Sequence, residues 1–205
     1  MPPATMAVVT AAVQRYLLFG NRPSLELVAI LLVYFVQGIL GLSQLAVSFF
    51  LKDDLGLSPT QTAVLLGITS IPWIIKPLFG FVSDGLPIFG YRRRPYLVLS
   101  GILGAASWAV LATVVHGAIA ATAAITLGSA SVALSDVIVD SLVVERARRE
   151  PQAVAGSLQS LCWGTAAVGG LLTAYLSGSL LETFDSQTVF LITATFPLIV
   201  SCVAG

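Results

Sequence analysis

Charged residues are scarce in this sequence, and their scarcity excludes a soluble domain. Ten Lys and Arg and ten Asp and Glu make up 10% of the 205 residues, whereas 57% are hydrophobic. An average soluble domain carries about 25% charged residues, and so few charges cannot coat a water-facing surface of this size. The formal net charge of zero also argues against nucleic-acid binding, which needs a basic excess. Composition therefore predicts an integral membrane protein whose surface faces lipid.

Histidine and cysteine are also rare, which limits the chemistry that the chain can perform. His116 is the single histidine, and Cys162 and Cys202 both lie inside apolar runs, so no cluster has metal-ligand spacing. We interpret both cysteines as small buried hydrophobic residues. The sequence contains no Gly-x-Ser-x-Gly, His-Glu-x-x-His or Gly-Lys-Ser pattern, each of which marks a catalytic or phosphate-binding site. We therefore expect no enzyme, no metal and no other cofactor.

Long apolar runs are what the chain does have, and they predict an all-α fold. A helix needs about 20 apolar residues to cross about 30 Å of hydrocarbon, which divides the chain into a lead-in, residues 1–25, and a six-helix unit, residues 26–205. The predicted spans are residues 27–51, 58–83, 95–115, 118–144, one within 151–181, and 186 onward. The sixth run is still apolar at Gly205, so we expect a truncated helix, a fragment or one half of a larger protein.

Eight of the ten basic residues predict the orientation of these spans. They lie in the lead-in, the second connection and the fourth connection: Arg15, Arg22, Arg92, Arg93, Arg94, Arg146, Arg148 and Arg149. Short connections rich in Lys and Arg stay on the cytoplasmic side of a membrane. The lead-in and both ends of the six-helix unit are therefore predicted to be cytoplasmic.

Three ionisable residues lie inside the predicted spans, where a charge costs about 2.5 kcal/mol or more at the membrane centre. Lys76 stands eight residues before Asp84, and Asp136 stands nine before Glu145, so both lie about 12–14 Å from the arginine-rich side. We predict that these two residues pair. Asp140 shares a helical face with Asp136, and because neighbouring carboxylates repel, we predict that one of them takes up a proton. A purely structural ion pair is the alternative.

Glutamine and tryptophan supply the other polar groups of the spans. Gln37 and Gln44 lie in the first span, and Gln159 and Trp163 share one face of the fifth span, four residues apart. We place Gln44, Gln159 and Trp163 with the three charges on a substrate pathway, because an amide and an indole can hydrogen-bond and stack on a planar ligand. A hydrogen bond from Gln159 to a neighbouring helix is the alternative.

The second connection carries the most distinctive pattern of the chain. Gly80 and Asp84 end the second span, and Gly90 precedes Arg92, Arg93 and Arg94. This arrangement resembles the cytoplasmic loop signature of the major facilitator superfamily. The resemblance implies a cytoplasmic gating loop formed by these six residues.

Longer stretches of sequence resemble the folate-biopterin transporter family, especially its cyanobacterial and plastid branch. They are residues 34–38 (YFVQG), 49–52 (FFLK), 72–80 (PWIIKPLFG), 87–96 (PIFGYRRRPY) and 135–145 (SDVIVDSLVVE). The resemblance covers residues 26–164. It implies the N-terminal half-bundle of a major facilitator fold, proton-linked uptake of folates or pterins, a second six-helix half as partner, and location in the plasma membrane of a bacterium. The alternative function is a non-transporting half that acts as an assembly or interaction partner.

Overall fold

The computed structural model describes residues 12–149 and 152–204, which are almost entirely helical. This part of the chain contains six helices long and apolar enough to cross a membrane: Leu25–Asp54, Pro59–Gly85, Arg94–Thr113, Ala118–Arg149, Gly156–Thr183 and Ser186–Ala204. We call them the first to sixth spans. The predicted number and order of spans are confirmed, and the chain is a multi-pass membrane protein. Residues 1–11 of the predicted lead-in, Glu150, Pro151 and Gly205 lie outside the described residues.

Two spans are interrupted helices. The first consists of Leu25–Ile39, Leu42–Phe49 and a π-helical turn Phe50–Asp54, and the second consists of Pro59–Thr69, Ile71–Ile74 and Lys76–Gly85. Pro72 and Pro77 each stand in the first turn of a new segment of the second span. Proline has no backbone N–H to continue the preceding helix, so each one marks a break. The second break leaves Lys76 at the start of a segment.

Capping residues define where three of the spans begin. The Ser24 hydroxyl accepts a hydrogen bond from the Leu27 N–H, so the first span starts at Leu25, two residues earlier than predicted. Ser58 and Gln61 cap the second span reciprocally, and its predicted start at Ser58 and Pro59 is confirmed. Asp185 caps the sixth span, and the pKa of its carboxyl lies below the ordinary value because Thr188 hydrogen-bonds to it.

The fourth span ends later than predicted. Its helix runs to Arg149, so Arg146, Arg148 and Arg149 belong to its last turn and not to a connecting loop. Positive charge is favourable there because it faces the negative end of the helix dipole. The fifth helix, Gln152–Thr183, begins only three residues later. The short connection at His116 and Gly117, which the predicted bounds of the third and fourth spans leave between them, is present.

Small residues bring specific pairs of spans into close contact. A Cβ added at Gly38 of the first span would lie 2.1 Å from the Ala166 carbonyl oxygen of the fifth. A Cβ at Gly101 of the third span would lie 2.4 Å from the Pro197 carbonyl oxygen of the sixth. The fourth span contacts the first, second, third and fifth spans. Such close contacts through small residues are typical of membrane helices.

One end of the bundle collects the basic residues, and we call it the arginine-rich end. There Arg94 Nε donates to the Ala204 carbonyl at 2.9 Å, and Arg146 donates to the Arg22 carbonyl at 2.7 Å. The lead-in, the second connection and the ends of the fourth and sixth spans thus meet, as the predicted topology requires. An apolar core lies toward each end of the bundle, one around Ile138 and the other around Phe190.

Candidate functional site

An ionic cluster, which we define as Tyr34, Lys76, Asp136 and Asp140, joins the first, second and fourth spans. Lys76 Nζ forms an ion pair with Asp136, as predicted, and lies 3.3 Å from an Asp140 carboxylate oxygen. The Tyr34 hydroxyl donates to the other Asp140 oxygen at 2.5 Å. The side chains of Lys76 and Asp136 are 25% and 13% exposed, and that of Asp140 is 44% exposed. Lys76 therefore forms ion pairs with both carboxylates, so Asp140 belongs to the same cluster as Lys76 and Asp136.

Local sequence accounts for the position of each charge. The break at Ile75, imposed by Pro77, leaves Lys76 at the beginning of a helical segment, and its ammonium lies 5.5 Å from the centre of the Trp73 ring. That distance allows a cation–π contact. Asp136 and Asp140 are one turn apart in a continuous helix, so both carboxylates reach the same neighbour.

Tyr34 is a member of the cluster that the sequence reading missed. It is only 3% exposed and packs in the apolar core that also contains Leu27 and Ile138. A buried tyrosine hydroxyl requires a hydrogen-bond partner, and inside a membrane span such partners are few. That rule would have predicted that the Tyr34 hydroxyl donates a hydrogen bond to one of the two aspartates.

A cavity of about 470 Å³ lies between the first four spans. It is lined by Gln37 and Gln44 from the first span, Trp73 from the second, Trp108 from the third and Val132 from the fourth. Most of its remaining lining residues are small or aliphatic. A mainly apolar cavity with a few polar groups is the usual form of a small-molecule site.

The ionic cluster lies on the side of the cavity that faces the arginine-rich end. Three cavity-lining residues each lie three or four residues from a cluster member in the same span: Gln37 from Tyr34, Trp73 from Lys76, and Val132 from Asp136. In each case the cluster member is nearer the arginine-rich end along its span. The cluster therefore stands between the cavity and that end of the bundle.

The predicted pathway residues do not all meet at this cavity. Gln44 lines it. Gln159 and Trp163 lie on the fifth span, which contributes no residue to the cavity lining, and Trp163 is 66% exposed. The aromatic rings at the cavity are instead Trp73 and Trp108, which the sequence reading did not select.

A second network of charges links the predicted gating loop to the fourth span. Arg93 Nε donates to Asp84 at 2.8 Å, and its Nη1 donates to Glu145 at 2.7 Å. The pKa of Arg93 is raised above its ordinary value, chiefly because of the hydrogen bond to Asp84 and then that to Glu145. Asp84 and Glu145 are 49% and 44% exposed, so water screens the network and its contribution to stability is small.

The other predicted loop residues have different surroundings. Gly80 faces Val137 of the fourth span so closely that a Cβ would lie 3.3 Å from a Val137 methyl. Gly90 has a φ of +82° in the turn between Ile88 and Tyr91, a conformation that favours glycine. A cleft of about 440 Å³ lies beside the network, and it is lined by Asp84, Tyr91, Arg92, Arg93, Arg94, Leu142 and Glu145.

Arg146 is a structural residue that the sequence reading treated only as a topology signal. Its side chain is 7% exposed and donates to the Ser24 hydroxyl oxygen at 2.7 Å, beside Glu26 at 3.5 Å. It therefore fastens the end of the fourth span to the start of the first. Among the residues that the structure describes, no group of three or more His, Cys, Asp and Glu side chains could hold a metal ion.

Comparisons with known proteins give a consistent result. A sequence model of the BT1 family matches residues 37–205. The chain is 61% identical over 182 residues to the "Folate-biopterin transporter" of Synechocystis sp., covering 89% of this chain and 37% of that relative. It is 37% identical over 169 residues to the "Probable folate-biopterin transporter 4" of Arabidopsis thaliana, covering 81% and 34%. It is 30% identical over 174 residues to the "Folate transporter 2" of Plasmodium falciparum, covering 85% and 38%. The chain thus spans little more than one third of the length of these relatives.

Proposed function

The chain belongs to the BT1 family, and from that premise we propose that it supplies six spans of a membrane transporter for folates or pterins. The relatives reported above are named as transporters of these compounds. Residues 1–25 are the lead-in, and residues 26–205 are the N-terminal half-bundle of a major facilitator fold. Because the chain spans only 37% of the cyanobacterial relative, we assign transport to an assembly with a second six-helix half.

The observation that carries the proposal is the ionic cluster at the end of the cavity. Charges inside membrane spans are expensive and typically mark a transport pathway. Here Lys76 and Asp136 lie three and four residues beyond residues that line a cavity of about 470 Å³, and Asp140 lies one helical turn further. The cavity accommodates the substrate, and the cluster separates it from the arginine-rich end.

The exposed faces of two spans support a second half as partner. Only 11% of the most apolar stretch of the second span, and 11% of that of the fifth, is buried, against 33–50% in the other four spans. Gln159 and Trp163 lie on the fifth of these spans. We place the second half against these faces, so that Gln159 and Trp163 reach a substrate pathway completed by that partner.

Opening toward the arginine-rich end then requires two sets of contacts to separate. The ionic cluster ties the first, second and fourth spans together, and the loop network of Asp84, Arg93 and Glu145 ties the second connection to the fourth span. That loop is the proposed gate, and its other members are Gly80, Gly90, Arg92 and Arg94. Alternating access in such folds moves one half-bundle against the other around a central site.

Coupling to protons is assigned to Asp140. Lys76 pairs directly with Asp136, whereas its distance to Asp140 is 3.3 Å and Asp140 is the more exposed carboxylate. A group that is partly accessible to water and held by two neighbours can gain or lose a proton as the cavity changes sides. We place the arginine-rich end in the cytoplasm and the protein in the plasma membrane of a bacterium.

The test is ligand binding to the whole chain in proteoliposomes, because transport itself is assigned to the assembly with the second half. Labelled folic acid and biopterin should bind saturably and be displaced by the unlabelled compounds. Lys76→Ala should abolish this binding, and the matched control Lys52→Ala, which removes an exposed lysine paired with Asp53, should retain it. If the unsubstituted chain shows no saturable binding, the assignment of a substrate cavity to this half is wrong and the assembly-partner alternative replaces it.

A further inference from the structure

Two buried nitrogen donors beside the cavity lack an acceptor among the described residues. They are Gln37 Nε2 and Trp108 Nε1, and both side chains line the cavity. Trp108 is only 8% exposed. Buried N–H groups in native proteins nearly always have a partner, and an unpaired one calls for an explanation.

The cavity is lined by five hydroxyl residues, Ser43, Ser48, Thr69, Ser70 and Ser129, and none of them accepts a hydrogen bond from either nitrogen. Ser43, Ser48, Thr69 and Ser70 each donate their hydroxyl hydrogen to a backbone carbonyl of their own helix, at 2.7–3.0 Å. Donating a hydrogen does not occupy the lone pairs of a hydroxyl oxygen, but neither nitrogen forms a hydrogen bond to one of these oxygens in the structure. Gln37 and Trp108 differ from them because their N–H groups stay unpaired.

The indole of Trp108 is held in place by its neighbours. It stacks on Phe190 with ring centres 5.8 Å apart, and Phe190 packs edge-on against Phe50 at 5.5 Å. Turning the indole toward another acceptor would disrupt this aromatic core. The Gln37 amide, by contrast, can rotate about its terminal torsion, so it can adjust to a ligand beside a fixed Trp108.

We propose that Gln37 and Trp108 bind the acceptor edge of a flat heteroaromatic ring, where a carbonyl oxygen stands next to a ring nitrogen. This inference rests on the proposed function and specifies how the substrate is recognised. An oxidised pterin has such an edge, formed by its 4-oxo group and N5. Trp73, on the same cavity, offers an aromatic face to the ring.

The proposal has a consequence for specificity. Replacing N5 by C–H removes one acceptor without changing the shape of the ring, and reduction to the tetrahydro form places a hydrogen on N5. A site that hydrogen-bonds a ligand rejects an analogue that leaves its buried polar group unpaired. We therefore expect the chain to bind oxidised biopterin about tenfold more tightly than its 5-deaza analogue, an effect of one hydrogen bond.

The experiment measures the affinity of both compounds for the whole chain in lipid nanodiscs. Trp108→Phe keeps an aromatic ring against Phe190 but removes the N–H, and Gln37→Glu keeps the size of the side chain but replaces the amide donor. Each should weaken binding of biopterin about tenfold. The double variant should bind biopterin and its 5-deaza analogue equally. The control Tyr175→Phe removes a hydroxyl from an 84% exposed residue of the fifth span and should preserve the preference.

The outcomes separate this inference from the function on which it rests. If the unsubstituted chain binds neither compound, the proposed function is wrong and this inference falls with it. If the unsubstituted chain binds biopterin and the double variant retains the full preference, this inference alone is wrong. Protection of the buried thiol of Cys162 from alkylation verifies that each variant is folded.

Discussion

Replacing Lys76 by methionine isolates the energetic role of the ionic cluster. Methionine keeps an unbranched side chain of similar length but removes the charge. Lys76 faces both Asp136 and Asp140, so the substitution leaves two carboxylates without their cation. Replacing Asp136 by asparagine should destabilise the chain less, because Lys76 retains its ion pair with Asp140 at 3.3 Å.

The expected losses in the free energy of unfolding follow from how far the ionic cluster is buried. Removing one partner of a buried ion pair costs about 3–5 kcal/mol. Because Asp140 is 44% exposed and partly screened by water, we expect the lower end of that range, about 3 kcal/mol, for Lys76→Met. For Asp136→Asn we expect about 1–2 kcal/mol. The double variant keeps one carboxylate, hydrogen-bonded by Tyr34, and should cost less than the sum of the single changes by about 1–2 kcal/mol.

The two cysteines of the chain provide the assay. Cys162 is buried, as predicted, whereas the prediction that Cys202 is buried is wrong, because its side chain is exposed on the sixth span. In a Cys202→Ser background the alkylation of Cys162 therefore reports opening of the structure. When opening is fast relative to alkylation, the rate follows the open population. A loss of 3 kcal/mol should therefore accelerate alkylation about 100-fold.

The matched control is Lys52→Met. Lys52 and Asp53 form an ion pair of 3.8 Å with side chains 73% and 51% exposed, and such a pair contributes little. We expect a change of less than about 0.5 kcal/mol. If Lys76→Met changes the alkylation rate no more than Lys52→Met does, or if the two cluster substitutions are strictly additive, the reasoning about the cluster is wrong.

Four further predictions concern coupling, packing, capping and orientation. In the complete transporter, Asp140→Asn should abolish accumulation driven by a pH gradient while sparing exchange of labelled for unlabelled substrate; uptake with unchanged pH dependence would remove Asp140 from the coupling role. Gly38→Ala should destabilise the chain by about 1–3 kcal/mol in the Cys162 assay, whereas Gly67→Ala, whose Cβ would meet nothing within 4 Å, should not. Because the pKa of Asp185 is lowered, its contribution to the free energy of unfolding is present above the ordinary pKa and is lost as the pH falls through the lowered value. Asp185→Asn should remove that part of the pH dependence of stability. An unchanged acid profile would contradict the capping role. A cysteine replacing Arg93 should resist an impermeant thiol reagent applied to intact cells, and labelling there would reverse the orientation.

The sequence alone determined the features that depend on one helix at a time. Six apolar runs, each measured against the thickness of a membrane, predicted six spans, and the Ser58-Pro59 cap predicted where the second begins. The contact between Lys76 and Asp136 followed from counting residues to the arginine-rich side, since the rise per residue of a helix is constant. The loop residues Gly80 to Arg94 were recognised as a pattern of residue types at given positions.

The tertiary structure alone decided which side chains meet across helices. The rotation of each span about its axis depends on packing against all its neighbours, so the sequence did not show that Tyr34 reaches Asp140. Nor did it show that Trp73 and Trp108, and not Trp163, line the cavity. Arg146 looks the same in sequence as the exposed arginines beside it, and only the meeting of the fourth span with the start of the first buries it. Depth in a membrane is a local property that residue counting yields, whereas the partner of each side chain is a property of the whole bundle.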